Sequence, residues 1–363
     1  MDLAGIQRAL REERIDGWLL YDFRGSNPIA RAVIGFDERQ IGTRRWFYLI
    51  PAQGEPVAIL HVIESHALKG APGNSLLYRS WKELEALLHD KLAGMKRVAM
   101  EYSPGAAIPY VGRVDAGTIE MVRATGVEVV SSADLVQVFE ARWTREQKAL
   151  HDRAARDTLL AKDEAFALVK ERLAAGLPVK ESDVQAFISS RFDARGLFTD
   201  HPCIVAVNDH ASDPHFETAP GPDDRVIKKG DLLLIDIWSK VKDDPRAVYY
   251  DATWMAYCGR DVPPRMREVW ETVKGGRDAA IAFVQDAVRS GRTIHGYEVH
   301  GNGVNIDNLE TRDQRRIIPG VCFSIEPGVY LPEFGVRSEI DMYVGERSAE
   351  VTGDIQRELL LLA

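Results

Sequence analysis

Asp231-Leu232-Leu233-Leu234-Ile235-Asp236-Ile237-Trp238 reads as a buried strand interrupted by a single carboxylate. Fifteen residues beyond Asp236, the stretch Val248-Tyr249-Tyr250-Asp251-Ala252-Thr253-Trp254-Met255 repeats that arrangement around Asp251. Lys242, Asp243, Asp244 and Pro245 lie between the two runs and predict a turn, so an antiparallel hairpin brings both aspartates together. Ionised carboxylates inside apolar strands are costly unless a cation or a metal partners them. For either aspartate alone, a salt bridge to a buried arginine explains the position equally well. Two in matched contexts favour a shared site.

Two further acids extend the pattern. Glu326 follows the apolar run Gly320-Val321-Cys322-Phe323-Ser324-Ile325, and Pro327-Gly328 then turns the chain. Glu339 follows Gly335-Val336-Arg337-Ser338, thirteen residues on; taken alone it reads as a surface strand residue paired with Arg337. Four carboxylates on separate strands, with few histidines among them, suit hard or borderline divalent ions. Two such ions about 3.5–4 Å apart hold a hydroxide and polarise a carbonyl, which is the chemistry of hydrolysis.

Upstream, helix and strand signals alternate. Leu3-Ile6-Ala9-Leu10 has helical spacing, and Trp18-Leu19-Leu20-Tyr21 reads as a strand. Trp46–Ile50 and Val57–Leu60 flank Pro51-Ala52-Gln53-Gly54 as a hairpin. Helices are predicted over Trp81–Leu92 and Ala116–Arg123, with strands at Arg97–Glu101 and around Val127-Val129-Val130. This is an α/β domain over residues 1–142. Thr144-Arg145-Glu146-Gln147 has the form of a helix start. A long helix to about Ala174, a second over Glu181–Arg195 and a third from Pro264 to Val288 precede or interleave strand-rich sequence. That order predicts an α+β domain over residues 143–363.

The 363 residues carry a net charge of −9 with acid and base interspersed, so neither nucleic acid nor an anionic membrane is an expected partner. Cys203, Cys258 and Cys322 are scattered and odd in number, which fits a reducing cytoplasm rather than a disulfide framework or a cysteine zinc site. Past the charged start at Arg8, Arg11, Glu12, Glu13 and Arg14, no apolar leader or membrane-length segment follows. A cytoplasmic location is the expectation.

The motifs Leu-Leu-Ile-Asp236, Tyr-Asp251-Ala-Thr-Trp, Ser-Ile-Glu326-Pro-Gly-Val-Tyr and Gly-Val-Arg-Ser-Glu339 together resemble those of the pita-bread metallopeptidases. That group comprises Xaa-Pro aminopeptidases, Xaa-Pro dipeptidases (prolidases) and methionine aminopeptidases, with creatinase as a metal-free relative. The likeness covers the whole second domain, and the first looks like the creatinase-type N-terminal domain of the proline-specific branch. It implies that Asp236, Asp251, Glu326 and Glu339 bind two divalent metal ions (Mn, Co or Zn) carrying a hydroxide. Glu326 is then the proton shuttle. The substrate implied is a short peptide with Pro at the second position, and the assembly a homodimer. Asn208-Asp209-His210-Ala211-Ser212-Asp213-Pro214-His215 is similar to the family stretch ending in a substrate-contacting histidine, which would be His215. By itself His215 is an ordinary loop histidine. Arg337 is expected to orient Glu339. Glu298-Val299-His300-Gly301-Asn302-Gly303 matches the Val-His element, so His300 takes the other substrate-side role.

One motif departs from the family. A Gly-His pair, whose histidine binds metal, should precede Val-His, yet counting back seven residues from His300 lands on Thr293. The text Gly291-Arg292-Thr293-Ile294-His295-Gly296-Tyr297 reads as a helix end and a loop. About one helix and one strand are missing between Tyr297 and His300. Three explanations stand: a segment omitted from the numbering, substitution by His295, or a four-carboxylate remnant of weak or no activity. The first is preferred, because losing an interior strand leaves sheet backbone unpaired. A creatinase-like, metal-independent C–N hydrolase and a binding protein that has lost catalysis are the competing functions.

Overall fold

A computed structural model describes residues 1–35, 42–294 and 313–363 of the chain. It divides into two compact units, Met1–Arg142 with the described part of Asn308–Arg316, and Trp143–Asp307 with Ile317–Ala363. Among the described residues no helix is long and apolar enough to cross a membrane.

In the first unit, α1 (Leu3–Glu12), β1 (Gly17–Asp22), α2 (Pro28–Ile34), β2 (Trp46–Pro51), β3 (Val57–His61), β4 (Asn74–Tyr78), α3 (Trp81–Leu92), β5 (Arg97–Met100), α4 (Ala116–Arg123), β6 (Glu128–Ser131) and α5 (Ala133–Val136) follow one another. The strands make one mixed sheet of order β4-β3-β2-β1-β5-β6. Alternation along β1 sends Trp18 and Leu20 into one apolar cluster and Leu19 and Tyr21 into another, so both faces are covered. Near this core, buried Glu101 accepts from Trp18 Nε1 at 2.7 Å, Asn27 Nδ2 at 2.7 Å and Ser132 Oγ at 3.0 Å.

The second unit opens with α6 (Arg145–Ala175). Its start is set by a reciprocal capping box between Thr144 and Gln147, its end by Gly176 at φ 66°. There follow α7 (Glu181–Arg195), β7 (Leu197–Phe198), β8 (Ile204–Val207), β9 (Leu232–Val241), β10 (Tyr250–Tyr257), α8 (Pro264–Ser290), β11 (Cys322–Ile325), β12 (Gly328–Tyr330), β13 (Gly335–Arg337), β14 (Ile340–Val344), β15 (Ala349–Thr352) and β16 (Leu360–Leu361). β16, β10, β9 and β7 form a sheet to which β8 adds on β9; β11-β14-β15 and β12-β13 make two smaller ones.

The expected hairpin is present: β9 and β10 pair antiparallel with Asp236 opposite Thr253 and Asp251 opposite Trp238. Leu233, Ile235 and Ile237 of β9, with Tyr250, Ala252 and Trp254 of β10, pack in a cluster with α6 and α7. Alternation turns Asp236, Asp251 and Thr253 to the opposite face, the one on which Leu234 and Met255 pack with Trp270 of α8 and Val336 of β13. Period-two patterning thus puts the carboxylates of both strands on one side.

Candidate metal centre

One carboxylate oxygen from each of Asp236, Asp251 and Glu339 lies within 4.8 Å of the others. Asp236 and Glu339 are 9% and 2% exposed. Asp236 Oδ1, Asp251 Oδ1 and Glu339 Oε1 are buried without a hydrogen-bond partner. Leaving one such acceptor unpaired costs about 1–3 kcal/mol, and more for a charged group, so three on clustered carboxylates require an explanation. Burial, followed by the charges of Asp236, Asp341 and Glu326, pushes Asp251 far above the usual carboxylate range. Burial, then Asp251, Glu326 and Asp236, does the same to Glu339. A divalent cation removes both penalties at once: it fills the orphaned lone pairs and neutralises the repulsion. The residues present fit such an ion.

The second oxygens of Asp236 and Glu339 are engaged by the protein. Arg337 Nη2 donates to Asp236 Oδ2 at close range, and Arg337 Nε donates to Thr253 Oγ1 at 3.1 Å. Thr253 Oγ1 in turn donates to Glu339 Oε2 at 2.9 Å. The buried-arginine explanation for Asp236 therefore holds for one of its oxygens and leaves the other free. Arg337 thus bonds Asp236 directly and reaches Glu339 through Thr253. Glu339 itself is buried, because Glu339 N–H donates to Thr253 O at 3.3 Å and draws the residue against β10.

Glu326, just past β11, is half-buried and lies outside the three-oxygen group. Its Oε1 accepts from Ser324 Oγ at 2.8 Å, and its charge is felt at Asp251 and Glu339. His215 is exposed in the loop after the 3-10 turn Asn208–Ser212, with its backbone N–H on Asp213 Oδ1 at 2.9 Å. Arg337 Nη1 reaches the neighbouring Pro214 carbonyl at 3.5 Å, which ties that loop to the carboxylate side. His295, His300 and the Cα spacing across residues 297–300 lie outside the described residues. Thr293 is exposed just after Gly291 closes α8, so residues 291–294 are helix end and loop.

Two buried groups behind the cluster were not singled out from sequence. Asp341 Oδ2 accepts from Asp251 N–H at 2.9 Å. Burial pushes Asp341 up to about 7, against that hydrogen bond and with the Glu326 charge adding to the rise. His151, fully buried on α6, contacts Tyr249 O through Nδ1 at 2.8 Å and Thr352 Oγ1 through Nε2 at 2.7 Å. Asp341 sits two residues past Glu339 in an alternating stretch, a faint signal. His151 carries none.

Residues 149–296 match the family model of metallopeptidase family M24. The chain is 24% identical over 334 residues to the probable dipeptidase PepE of Mycobacterium bovis, covering 86% of this chain and 84% of that protein. It is 26% identical over 205 residues to the Xaa-Pro dipeptidase of Lactobacillus delbrueckii subsp. lactis, covering 49% and 51%. The crystal structure of dipeptidase PepE from Mycobacterium ulcerans superposes with a TM-score of 0.69 at 21% identity, covering 99% of this chain and 96% of that one. The prolidase from Pyrococcus horikoshii gives 0.59 at 18% identity, with 99% of each chain covered. The shared fold is the expected pairing of a creatinase-type α/β unit with a pita-bread unit.

Proposed function

We propose, from the premise that the chain is a member of metallopeptidase family M24, that it hydrolyses short peptides bearing Pro at the second position. The observation that carries this reading is the cluster of Asp236, Asp251 and Glu339, which bring one carboxylate oxygen each within 4.8 Å of the others and each keep a buried oxygen without a hydrogen-bond partner. Asp236, Asp251 and Glu339, with Glu326 beside them, would hold a pair of divalent ions (Mn, Co or Zn). When bound, such ions supply Lewis acidity and an acidified water for attack on a peptide carbonyl.

The chain's own groups do the rest. Arg337 and Thr253 each hold one carboxylate oxygen, of Asp236 and Glu339 respectively, and leave the other free for a cation. Glu326, half-buried and bonded by Ser324, would take a proton from the attacking water and return it to the leaving amine. His215, with His300, is assigned to the substrate carbonyl and its developing negative charge. The relatives named as a dipeptidase and an Xaa-Pro dipeptidase support the substrate class. A cytoplasmic homodimer is the form in which we expect the protein to act.

A second reading has one observation behind it: the position counted back from His300 is Thr293, exposed in a loop, rather than a histidine. On that reading the protein keeps the carboxylates and binds metal and peptide without turnover. An Xaa-Pro dipeptide assay with added Mn²⁺, Co²⁺ or Zn²⁺ decides. Metal-dependent release of proline supports the peptidase; no hydrolysis of dipeptides or longer Xaa-Pro peptides with any of these ions sinks it.

A further inference from the structure

The candidate ligands come from two separate sheets: Asp236 and Asp251 from the β9–β10 hairpin, Glu339 and Glu326 from the segments flanking β11 and β14. Their mutual distance is therefore a property of the seam where β10 meets the β14 segment. β10 receives backbone pairing from β16 only at Ala256 and Tyr257. Along the rest of that edge its groups are met one by one. Asp251 N–H goes to Asp341 Oδ2 at 2.9 Å, Thr253 O accepts Glu339 N–H at 3.3 Å, and Met255 N–H goes to Gln356 Oε1 at 2.8 Å.

Asp341 differs from Asp236, Asp251 and Glu339. It is 6% exposed, yet neither of its oxygens is among the orphaned buried ones. Its neighbour His151 adds no donor. Tyr249 O is acceptor-only, so His151 Nδ1 carries the proton, and Nε2, 3.9 Å from Asp341 Oδ2, accepts from Thr352 Oγ1. The donor that Asp341 is given is thus the backbone of a ligand. A carboxylate buried beside like charges is costly, and this contact is what its position achieves.

Resting on the metal reading of Asp236, Asp251 and Glu339, we infer that Asp341 is a positioning residue that clamps the two halves of the centre. Its backbone, two residues from Glu339, belongs to one half; its carboxylate, on Asp251 N–H, grips the other. The contact is a hydrogen bond, so an amide oxygen can replace it.

The test uses the full chain with Mn²⁺ as probe, titrated by calorimetry, alongside hydrogen exchange at the Asp251 amide in the metal-free protein. Asp341→Ala is expected to weaken Mn²⁺ binding about 10- to 100-fold and to speed exchange at Asp251. Asp341→Asn is expected to keep both near the parent's values. Parent-like affinity in Asp341→Ala overturns the clamp. So does equal loss in Asp341→Asn, which would make Asp341 itself a ligand. Should the alanine variant not fold, the asparagine variant decides by the same criterion. If the parent takes up no Mn²⁺, the metal reading fails, and exchange alone judges the clamp: equal Asp251 protection in parent and alanine variant overturns it.

Discussion

At the scale of single residues, the centre is organised by side chains that hold one oxygen of a carboxylate and leave the other free. Thr253 does this for Glu339 while accepting from Arg337. Thr253→Val keeps the volume but removes both hydrogen bonds, and should lower metal affinity about 10- to 100-fold, read by Mn²⁺ calorimetry. Unchanged affinity would show that the bond to Glu339 has no part in holding the ligand. His151 makes a separate, pH-dependent statement. Burial holds its imidazole down at about 4, whereas the unfolded chain takes up a proton near 6.5. The folded-state value is depressed, so the stability contribution is complete above 6.5 and is lost as pH falls toward 4. The loss should be on the order of 3 kcal/mol. Denaturant melts between pH 7 and pH 4 should show a steeper fall in the parent than in His151→Gln; identical slopes would contradict the assignment. The four acids were legible because each interrupts or follows an apolar strand. Thr253 and Asp341 were not, because a threonine in a strand is ordinary and an Asp341–Asp251 bond joins residues ninety positions apart.

At the scale of elements, two apolar runs each broken by one aspartate, with a turn between them, were enough to predict the hairpin that brings both aspartates together. The long helices were equally plain, because a capping box opens α6 and a left-handed glycine closes it. α2 and β4 escaped notice: each is short, and β4, with exposure at Asn74, Ser75 and Leu77, lacks the apolar alternation that announces a strand. β13 shows how closely the site's elements are seated. A methyl group built on Gly335 would lie 1.8 Å from Ala211 O, in the turn that leads to His215. Gly335→Ala must therefore push β13 away from that turn, costing roughly 1–3 kcal/mol, with Arg337 displaced from Asp236. A thermal melt checks it. Parent-like stability would mean the turn yields without consequence.

For the molecule as a whole, composition and the two-part patterning of the chain already pointed to a globular protein of two α/β-type units. What the pattern could not supply is the seam between sheets in the second unit, since contacts across it depend on how separately specified pieces pack. The same seam explains why metal and stability should be linked. Three buried, unpaired carboxylate oxygens are a liability in the metal-free protein and an asset in the loaded one. Mn²⁺ at about 100 times its dissociation constant should stabilise the fold by about 2.7 kcal/mol, and EDTA should reverse it; a thermal midpoint indifferent to both would count against a native metal site.

Everything proposed for this protein depends on whether Asp236, Asp251 and Glu339 bind divalent metal. Elemental analysis after Mn²⁺ reconstitution and desalting tests it most directly, comparing the parent with an Asp251→Asn, Glu339→Gln double variant. About one to two ions per parent chain are expected, and almost none in the variant. Less than about half an equivalent in the parent, or equal retention by both proteins, would contradict such binding.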